Sequence, residues 1–394
     1  MKILAVNSGS SSLKWKLFDM PSEHVIADGM FDRIGIEGTT STVSYLGNRS
    51  TTPSNAQNHN DAVATLLKQL IDLHIINNYQ DINGIGHRIV AGGEFFKDST
   101  IINQANLIKI DELAEYAPLH NPPEAAGIRA FMQKLPHALE VGVFDTSFHT
   151  TLPKHNYLYS LPYEYYEKYG TRKYGAHGTS HNYISSRAAE ILHKPLKDLK
   201  MITLHLGNGA SLDAIKDGKS YDTSMGFTPL VGITMGTRSG DVDVSLILYL
   251  MEKMNLSTTE MLTILNHQSG ILGISGISSD MRDLLAQITT NQRAKLALDI
   301  YVNRIIRYIG AYTAEMGGVD VLVFAGGVGE NSAIIRKMIV DQLIFINAKL
   351  DDTKNDIHGQ EQIISRDDSG VTIMVVPTDE ELMIAREVQR LANK

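Results

Sequence analysis

The sequence predicts an α/β protein built from two related halves. Short apolar runs alternate with segments of helical periodicity, turns of small polar residues follow several of these runs, and one strand–turn–strand pattern occurs twice. Strands that alternate with helices are typical of layered α/β folds. The chain has 394 residues, which is enough for two or three domains and for a large buried core.

The repeated pattern joins two short strands through a turn of small polar residues. Residues 3–6 are apolar, residues 7–12 are rich in serine and glycine, and residues 13–18 begin by alternating apolar and basic side chains. Residues 202–215 follow the same order, and this second copy lies about half a chain length after the first. A hairpin that recurs at half length predicts a duplicated domain.

Capping residues and apolar runs predict the remaining elements. Helices are predicted over residues 122–135, 180–192 and 293–316, from about residue 332 onward, and from Thr378 to the end of the chain. Their limits depend on prolines in a first turn, on Ser180 as an N-cap and on Gly317 after a last turn. A buried strand is predicted over Val319–Phe324, whereas residues 32–60 are polar and poorly periodic, which indicates a loop-rich insertion.

The composition excludes several kinds of site and partner. Cysteine is absent from the sequence, which excludes disulfides, thiolate metal sites and cysteine nucleophiles and favours a cytoplasmic location. The formal net charge is -8 with no long basic run, so nucleic acid is not an expected partner. The first apolar run is too short for a signal peptide, and no segment approaches about 18 consecutive apolar residues, so no membrane association is expected.

Three turns of small residues follow predicted strands, at residues 7–12, 207–211 and 326–331. Small residues let backbone N–H groups approach phosphate oxygens closely, and Lys14 would add a positive charge near such a ligand. The usual nucleotide signatures are incomplete, because Asp213 occupies the place of the first glycine of a P-loop and the third turn is one residue short of a dinucleotide fingerprint. The turns therefore indicate phosphate binding outside these two classes.

Charged and imidazole side chains lie within apolar surroundings at Arg88, Asp145, His177 and Arg238. Arginine and histidine donate hydrogen bonds to phosphoryl oxygens, which favours phosphoryl transfer. Each residue also has a structural explanation: a paired arginine, a strand-end carboxylate, a core histidine or a surface charge. No Ser-His-Asp or metal-hydrolase spacing occurs in the sequence, so phosphate chemistry is the favoured interpretation.

The last helix carries a carboxylate that could hold a metal ion. Thr378 and Glu381 fit a capping box, with the threonine as N-cap and the glutamate at the third helical position. Glu380 is then the freer carboxylate and is available for Mg²⁺ near nucleotide phosphates. In the alternative explanation, both glutamates only complement the helix dipole.

These ordered motifs resemble those of the acetate kinase family, a branch of the superfamily of actin, sugar kinases and Hsp70. The resemblance covers almost the whole chain and rests on residues 7–14, 174–181, 205–209, 222–238, 326–331 and 377–381. It implies two duplicated actin-like (ribonuclease H-like) domains with an active-site cleft between them, and a homodimer. Residues 1–150 with the C-terminal helix 379–394 would form one domain, and residues 151–378 would form the other, with most nucleotide contacts.

The resemblance also implies a reaction and its residues. The reaction is reversible phosphoryl transfer between ATP and acetate, which gives acetyl phosphate and ADP on a route to acetyl-CoA, with Mg²⁺ or alternatively Mn²⁺ as cofactor. Asn7 and Glu380 would hold the metal. The nucleotide would contact Ser10, Ser12, Lys14, His205, Leu206, Gly207, Asn208, Gly209, Asp280, Met281, Arg282, Gly326, Gly327, Val328, Gly329 and Glu330. The catalytic residues would be Arg88, Asp145, His177 and Arg238, and the acyl substrate would contact Arg88, Val90, Leu119, Ala176 and Pro229.

The chemistry of the substrate bears on the role of Asp145, which the family treats as a catalytic acid/base. A short carboxylic acid titrates near the pKa of glutamate, about 4.3, and is already ionised at neutral pH. The attack on the γ-phosphorus therefore needs no general base, and the difficulty is to bring two anions together. Mg²⁺, Arg88 and Arg238 address this directly, so we expect Asp145 to orient an arginine or a metal-bound water.

Two departures from the family pattern leave the choice of acid open. Ala176 stands where the family usually has an aromatic residue, and Ala91 stands where it usually has histidine. A smaller side chain at position 176 widens the expected acyl pocket and favours a propionate or other short-chain acyl kinase, whereas Val90 favours acetate. A more remote alternative is a non-catalytic, nucleotide-switched actin-like protein, which would have no need of Arg88, His177 and Arg238.

Overall fold

The computed structural model describes residues 1–118 and 120–394. The chain divides into two compact units: unit 1 comprises Met1–Phe148 and Asp379–Lys394, and unit 2 comprises His149–Thr378. Among the described residues, no helix is both long enough and apolar enough to cross a membrane.

Strands and helices alternate along both units. The strands are β1 (Lys2–Ser8), β2 (Ser12–Asp19), β3 (His24–Asp32), β4 (Thr40–Tyr45), β5 (Asn48–Pro53), β6 (Ile82–Ile89), β7 (Thr100–Ile101), β8 (Leu139–Phe144), β9 (Met201–Leu206), β10 (Ala210–Lys216), β11 (Lys219–Thr223), β12 (Val321–Ala325), β13 (Gln362–Ile363) and β14 (Thr372–Val375). The helices are α1 (His59–Asp72), α2 (Gln104–Glu112), α3 (Asn121–Lys134), α4 (Lys154–Tyr157), α5 (Tyr163–Tyr169), α6 (Gly178–Ile191), α7 (Val244–Met254), α8 (Thr258–His267), α9 (Gly270–Ser275), α10 (Met281–Leu285), α11 (Gln292–Met316), α12 (Gly326–Asn331), α13 (Ala333–Val340), α14 (Asp352–Asn355) and α15 (Glu380–Ala392).

Unit 1 is built on a sheet of eight strands in the order β5-β4-β3-β2-β1-β6-β8-β7. β1 pairs antiparallel with β2 and parallel with β6, and β6 pairs parallel with β8. Trp15 of β2, Leu66 of α1 and Phe131 of α3 belong to one buried apolar cluster, which joins these helices to the sheet. α15 packs closely on β6. A Cβ added to Gly86 of β6 would lie only 2.3 Å from Cγ2 of Ile384 of α15, so glycine permits this close approach.

Unit 2 repeats this topology on a sheet of six strands in the order β11-β10-β9-β12-β14-β13. β9 pairs antiparallel with β10 and parallel with β12, which pairs parallel with β14. A short antiparallel strand borders the last parallel strand in each sheet, β7 in unit 1 and β13 in unit 2. The sheet topology therefore confirms the predicted duplication.

The long helix α11 forms the centre of the unit 2 core. Asn291 caps its first turn by accepting from Arg293 N and Ala294 N, and Gly317 ends it in the left-handed conformation with φ 69°. Leu298, Ile305 and other apolar residues of this helix are fully buried with the β9, β10 and β12 residues of the same cluster. The helix predicted over residues 293–316 is confirmed.

The prediction of a loop-rich segment over residues 32–60 is wrong. β4 and β5 lie within it and extend the unit 1 sheet, because β4 pairs antiparallel with β3 and β5 pairs antiparallel with β4. β5 is exposed along its whole length, so it lacks the buried alternate face that reveals a strand in a sequence. A bond of 2.9 Å between the hydroxyls of Thr42 and Thr51 is one of its cross-strand contacts.

Two predicted helix N-caps are wrong for a shared physical reason. α6 begins at Gly178 with His177 in the N-cap position, so Ser180 lies inside the helix. α15 is capped by Asp379, whose side chain accepts from Leu382 N at 3.1 Å. The hydroxyls of Ser180 and Thr378, the two predicted caps, instead bond to each other at 2.7 Å. Because the two hydroxyls bond to each other, neither caps its helix. The two residues are far apart in the sequence, so the local sequence pattern does not predict this contact.

Two smaller corrections concern the segments next to the predicted site. Glu381 does not close a capping box but lies 3.3 Å from Lys16 Nζ. Residues 326–331 form the short helix α12 directly after β12, where the sequence predicted a turn. Ser332 then caps α13 by accepting from Ile335 N, so the helix predicted from about residue 332 begins at Ala333.

Candidate active site

The carboxyl ends of β6 and β8 bring an arginine and an aspartate together in unit 1. Arg88 pairs with Val143 on the neighbouring strand, and Asp145 follows β8 directly. Arg88 donates to Asp145 Oδ2 from Nε at 3.0 Å and from Nη2 at 2.6 Å. Burial alone lowers the pKa of Arg88, but Asp145 and Glu380 raise it above the ordinary value. The guanidinium is therefore charged, and its side chain keeps an exposed fraction of 21%.

Glu380 places a second carboxylate at this arginine. It is the first residue of α15, and its Oε2 lies 3.9 Å from Arg88 Nε. Burial raises the pKa of Glu380, Arg88 partly opposes this, and the negative charges of Asp145 and Glu381 add to the rise. A carboxyl group that is costly to ionise beside other carboxylates gains most when a cation binds to it.

The predicted phosphate turn of unit 1 connects β1 and β2. It carries four of the predicted contact residues, Asn7, Ser10, Ser12 and Lys14. Asn7 and Lys14 are cross-strand partners, and the turn closes when Gly9 N donates to Ser12 O at 2.8 Å. His59 Nε2 lies 2.8 Å from Gly9 O and ties this turn to α1.

The oxygen donors of unit 1 fit a magnesium ion. The amide of Asn7 and the carboxylate of Glu380 are hard ligands of the kind that Mg²⁺ prefers. Among residues 1–118 and 120–394, no group of three or more histidine, aspartate and glutamate side chains forms a metal cage of its own. Mg²⁺ commonly binds through one or two carboxylates and completes its shell with water and substrate phosphates. This donor set suits a metal shared with a nucleotide.

The segment after β6 carries Val90 and is clamped by the start of α3. Val90, Ala91 and Ala117 form a small buried apolar cluster. Asn121 bonds both backbone groups of Ala91, accepting from its N–H at 3.1 Å and donating to its carbonyl at 3.0 Å. Leu119, also predicted to contact the acyl group, lies outside the described residues.

Glu124 is a buried carboxyl group beside this segment. Its Oε2 accepts from Val90 N at 3.1 Å, and its exposed fraction is 3%. Burial raises the pKa of Glu124 to about 8, although the Val90 N–H and the Arg88 charge lower it. Glu124 is therefore mostly protonated at neutral pH.

Two glycine segments of unit 2 begin side by side at the ends of adjacent parallel strands. Ala325 at the end of β12 pairs with His205 near the end of β9, so residues 207–209 and 326–330 emerge at the same edge of the sheet. Gly326 has φ 73°, and a Cβ there would lie 2.8 Å from the β9 backbone, so only glycine fits.

A cavity of about 870 Å³ opens next to these segments. Seven of the predicted nucleotide residues line it: Gly207, Asn208, Asp280, Met281, Arg282, Gly327 and Val328. Ile271, Leu285 and Ile334 supply apolar wall, and the buried hydroxyl of Tyr301 has no hydrogen-bond partner in the described part of the chain. An apolar wall with a few polar groups is typical of a small-molecule site.

Three other predicted nucleotide residues support the glycine segments from inside. Glu330 Oε1 accepts from Gly326 N at 2.8 Å and from Thr378 N at 3.0 Å. Leu206 is fully buried in the core cluster of unit 2, and Nδ1 of His205 bonds the Ser180 hydroxyl at 2.8 Å.

His177 and Arg238 meet at the glycine turn that follows β9. A Cβ added to Gly209 would lie 3.4 Å from Arg238 Nη1 and 3.6 Å from His177 Nε2, so both side chains border the space over this glycine. His177 holds φ 58°, a left-handed conformation that is uncommon for a residue with a side chain and is often found at functional sites. Pro229 O accepts from Arg238 Nη1 at 3.2 Å.

Ala176, the residue before this histidine, belongs to the unit 2 core and is 3% exposed. Its carbonyl lies 3.0 Å from Nε2 of the buried His149. The backbone that presents His177 is therefore fixed from the interior.

Sequence reasoning missed several supporting residues: His59, Asn121, Glu124 and Tyr301. Glu124 stands in the first turn of the helix predicted over residues 122–135 and Asn121 directly precedes it, where acidic and polar residues are common for local reasons. Only the packing of α3 on the segment after β6 gives them a second function. Tyr301 lies on the buried face of α11, and its sequence environment marks it as a core residue.

These features are typical of a protein that binds a phosphorylated small molecule. They are glycine segments at the ends of parallel strands, a cavity beside these segments, and an arginine and a histidine that border the glycine turn after β9. The family model described as the acetokinase family matches residues 2–386. A protein named acetate kinase from Limosilactobacillus fermentum is 55% identical, over 100% of this chain and 99% of the relative. The chain belongs to the acetokinase family.

Two solved structures resemble the fold closely. The crystal structure of Porphyromonas gingivalis acetate kinase has a TM-score of 0.95 and 44% identity, over 99% of both chains. The crystal structure of a propionate kinase from Francisella tularensis has a TM-score of 0.93 and 40% identity, over 99% of both chains. The predicted fold of two duplicated actin-like domains is confirmed.

Proposed function

We propose that this chain is an acetate kinase, which transfers a phosphoryl group reversibly between ATP and acetate. The observation that carries this conclusion is the similarity over the full length to proteins named acetate kinase. A phosphotransferase with a carboxylate acceptor needs a phosphate site, a carboxylate site and cations near the transferred group. Candidates for each of these parts occur among the described residues.

We propose that ATP or ADP binds in the cavity of unit 2. Ile271, Leu285 and Ile334 offer an apolar wall for a base, and the Tyr301 hydroxyl offers a hydrogen bond to it. The glycine segments that begin at residues 207 and 326 lie next to this cavity, and their small residues let backbone N–H groups approach phosphate oxygens.

We further propose that acetate binds at Arg88, next to Val90. The guanidinium is charged and partly exposed, which suits a carboxylate ligand. Because the acetate is already ionised, an oxygen of the carboxylate attacks the γ-phosphorus and the bond to ADP breaks, with no proton removed. Asp145 bonds Arg88 twice through one oxygen, which supports a role in orienting this arginine. Pro229 and Ala176 remain proposed contacts of the acyl group.

His177 and Arg238 would stabilise the charge that develops on the transferred group. Both border the space over Gly209, beside the proposed phosphate segments. Donors fixed in advance around a phosphoryl group lower the barrier because they need no reorganisation during transfer. Asn7 and Glu380 would hold Mg²⁺, and the bound ion would neutralise phosphate charge.

A homodimer is proposed from the surface of α7 in unit 2. None of its residues is buried, and Val244 is 73% exposed, Leu248 62% and Met254 58%. Large exposed apolar patches are typical of interaction sites. Closed symmetric dimers are the commonest oligomers, and a second copy of this chain is therefore the partner that we propose.

We also propose that residues 1–150 with 379–394 and residues 151–378 act as two domains, and that the enzyme is cytoplasmic.

Acetate is favoured over propionate as the substrate. The similar proteins at 52–55% identity are named acetate kinase, whereas the propionate kinase structure is 40% identical. Val90 lies in a small buried apolar cluster, and its side chain is larger than alanine, which supports the smaller acid.

The test is hydroxylamine trapping of the acyl phosphate made from Mg-ATP with acetate, propionate or butyrate. We expect the highest kcat/KM with acetate. A value for propionate equal to or above that for acetate would replace the proposal by a short-chain acyl kinase. No acyl phosphate from any of the three acids, with ATP still bound, would contradict an enzymatic function.

A further inference from the structure

A row of buried polar side chains lies behind His177 in unit 2. Thr203 Oγ1 is 2.7 Å from His181 Nδ1, and His181 Nε2 is 2.8 Å from Ser211 Oγ. Ser211 Oγ is in turn 2.9 Å from Nδ1 of His177. Thr203, His181 and Ser211 are fully buried and belong to β9, α6 and β10. The row, built from three separate elements, thus ends at one nitrogen of the proposed catalytic histidine, where Ser211 makes the contact.

The direction of the first hydrogen bond follows from the number of protons available. Burial lowers the pKa of His181 well below its usual value, so the ring is neutral, with one N–H donor and one acceptor nitrogen. In the described part of the chain, the Thr203 hydroxyl bonds no atom other than His181 Nδ1. If Thr203 accepted this bond, its own buried proton would be unsatisfied, which is unfavourable. Thr203 therefore donates to Nδ1, and the His181 proton is on Nε2.

The remaining bonds then have one consistent direction. His181 Nε2–H donates to Ser211 Oγ, and the single proton of the Ser211 hydroxyl is left for His177 Nδ1. A neutral His177 that accepts at Nδ1 carries its proton on Nε2. Nε2 is the atom that borders the space over Gly209 next to Arg238.

We infer that Thr203, His181 and Ser211 are positioning residues that fix the Nε2-protonated tautomer of His177. In this form the ring presents an N–H donor to an oxygen of the transferred phosphoryl group. The inference rests on the proposed phosphoryl transfer for its purpose, but the tautomer itself does not depend on any activity. It also means that Nε2 of neutral His177 is not available as a base.

The direct test is nitrogen-15 NMR of the histidine rings in the full-length protein without substrates. The His177 signals are assigned by their loss in His177→Asn. We expect a protonated Nε2 and an unprotonated Nδ1 in the unmodified protein. Thr203→Val removes the first donor at nearly constant volume and should give a mixture of His177 tautomers, and Ser211→Ala should do the same. Thr203→Ser keeps the hydroxyl and is the matched control, with the tautomer unchanged.

Kinetics provides the second readout. Ser211→Ala and Thr203→Val should lower kcat by about 10- to 100-fold, less than full removal of a transition-state donor, with KM for ATP within about 3-fold of the original because the cavity is intact. Thr203→Ser, which keeps the hydroxyl, should have a kcat close to that of the unmodified protein.

Three results would overturn the inference: a proton on Nδ1 of His177 in the unmodified protein, a tautomer unchanged in both Thr203→Val and Ser211→Ala, or equal kcat for Thr203→Val and Thr203→Ser. If Thr203→Val does not fold, Ser211→Ala alone decides. Failure of the proposed function looks different, because the expected tautomer would be present in a protein that makes no acyl phosphate.

Discussion

Arg88 and Asp145 illustrate how one residue pair can be interpreted in two ways. The carboxylate is 1% exposed and bonds two nitrogens of the arginine through a single oxygen. A proton shuttle would need access to the reacting atoms, and the ionised acetate has no proton to give. The contact supports an orienting role, which fits the expectation drawn from the substrate's chemistry.

We propose that Val90 borders the acyl group at Arg88, so its replacement should change substrate preference. Val90→Ala removes two methyl groups from an apolar cluster. A methylene in such a pocket is worth about 1–3 kcal/mol, so kcat/KM for propionate relative to acetate should rise at least about 5-fold. The measurement is the ratio of the two values by acyl phosphate trapping. Val43→Ala is the control, because Val43 of β4 is also a buried valine but belongs to a different apolar cluster from Val90. It should leave the ratio unchanged.

Glu124 should make stability depend on pH. Its pKa is about 8 in the folded chain against 4.5 for the ordinary group. At low pH both states hold the proton and there is no penalty. As pH rises from about 4.5 to about 8, the unfolded state releases its proton while the folded state retains it, so stability is progressively lost.

Glu124→Gln should remove this loss, because glutamine keeps an acceptor for Val90 N but has no charge. We expect the variant to gain several degrees in Tm relative to the original at pH 8.5 and little at pH 5. Thermal unfolding at the two pH values checks this. An equal Tm difference at both pH values would mean that Glu124 does not retain its proton.

The first turn of helix α15 has several roles at once. Its first turn supplies Glu380 to the candidate metal site, while Asp379 caps the helix and lies 3.1 Å from Lys16 Nζ. Its buried face, with Ile384 and Val388, packs on glycines of β6. The position of the Glu380 carboxylate therefore depends on how firmly the helix start is held.

Asp379→Ala should destabilise the protein by about 1–2 kcal/mol through loss of the cap. Asp379→Asn keeps a capping oxygen and removes only the charge toward Lys16, a partly exposed pair that contributes about 0–1 kcal/mol. Urea unfolding should rank the original first, asparagine second and alanine last. Asparagine as destabilised as alanine would show that the ion pair, not the cap, holds the helix.

At the scale of the whole molecule, the apolar surface of α7 predicts how the chain assembles. Leu248→Glu places a charge on that surface, and burying it in a dimer interface would be unfavourable. We expect light scattering after gel filtration to give a dimer for the original and a monomer for the variant. Leu46→Glu, at an exposed leucine of unit 1, is the control and should remain dimeric. A dimeric Leu248→Glu would exclude α7 as the interface.

The α/β class, the duplication, the glycine-rich segments after strands and the family could all be predicted from the sequence. These features are carried by local order: a hairpin repeated at half length, glycines after apolar strands and motifs of fixed spacing. Local order also predicted the limits of α11, because its apolar period and the glycine after its last turn are features of neighbouring residues in the sequence.

Which polar side chains contact one another could not be predicted, because these contacts join residues that are far apart in the sequence. The hydroxyls of Ser180 and Thr378 looked like helix caps and instead bond to each other. Glu124 looked like a first-turn acid and is a buried, protonated group at the segment of Val90. Ser211 looked like part of a phosphate turn and instead bonds two histidines, and Thr203 carried no signal, because hydrogen-bond direction depends on which donors and acceptors are buried together. Sequence spacing records neighbours along the chain, whereas burial is a property of the folded chain.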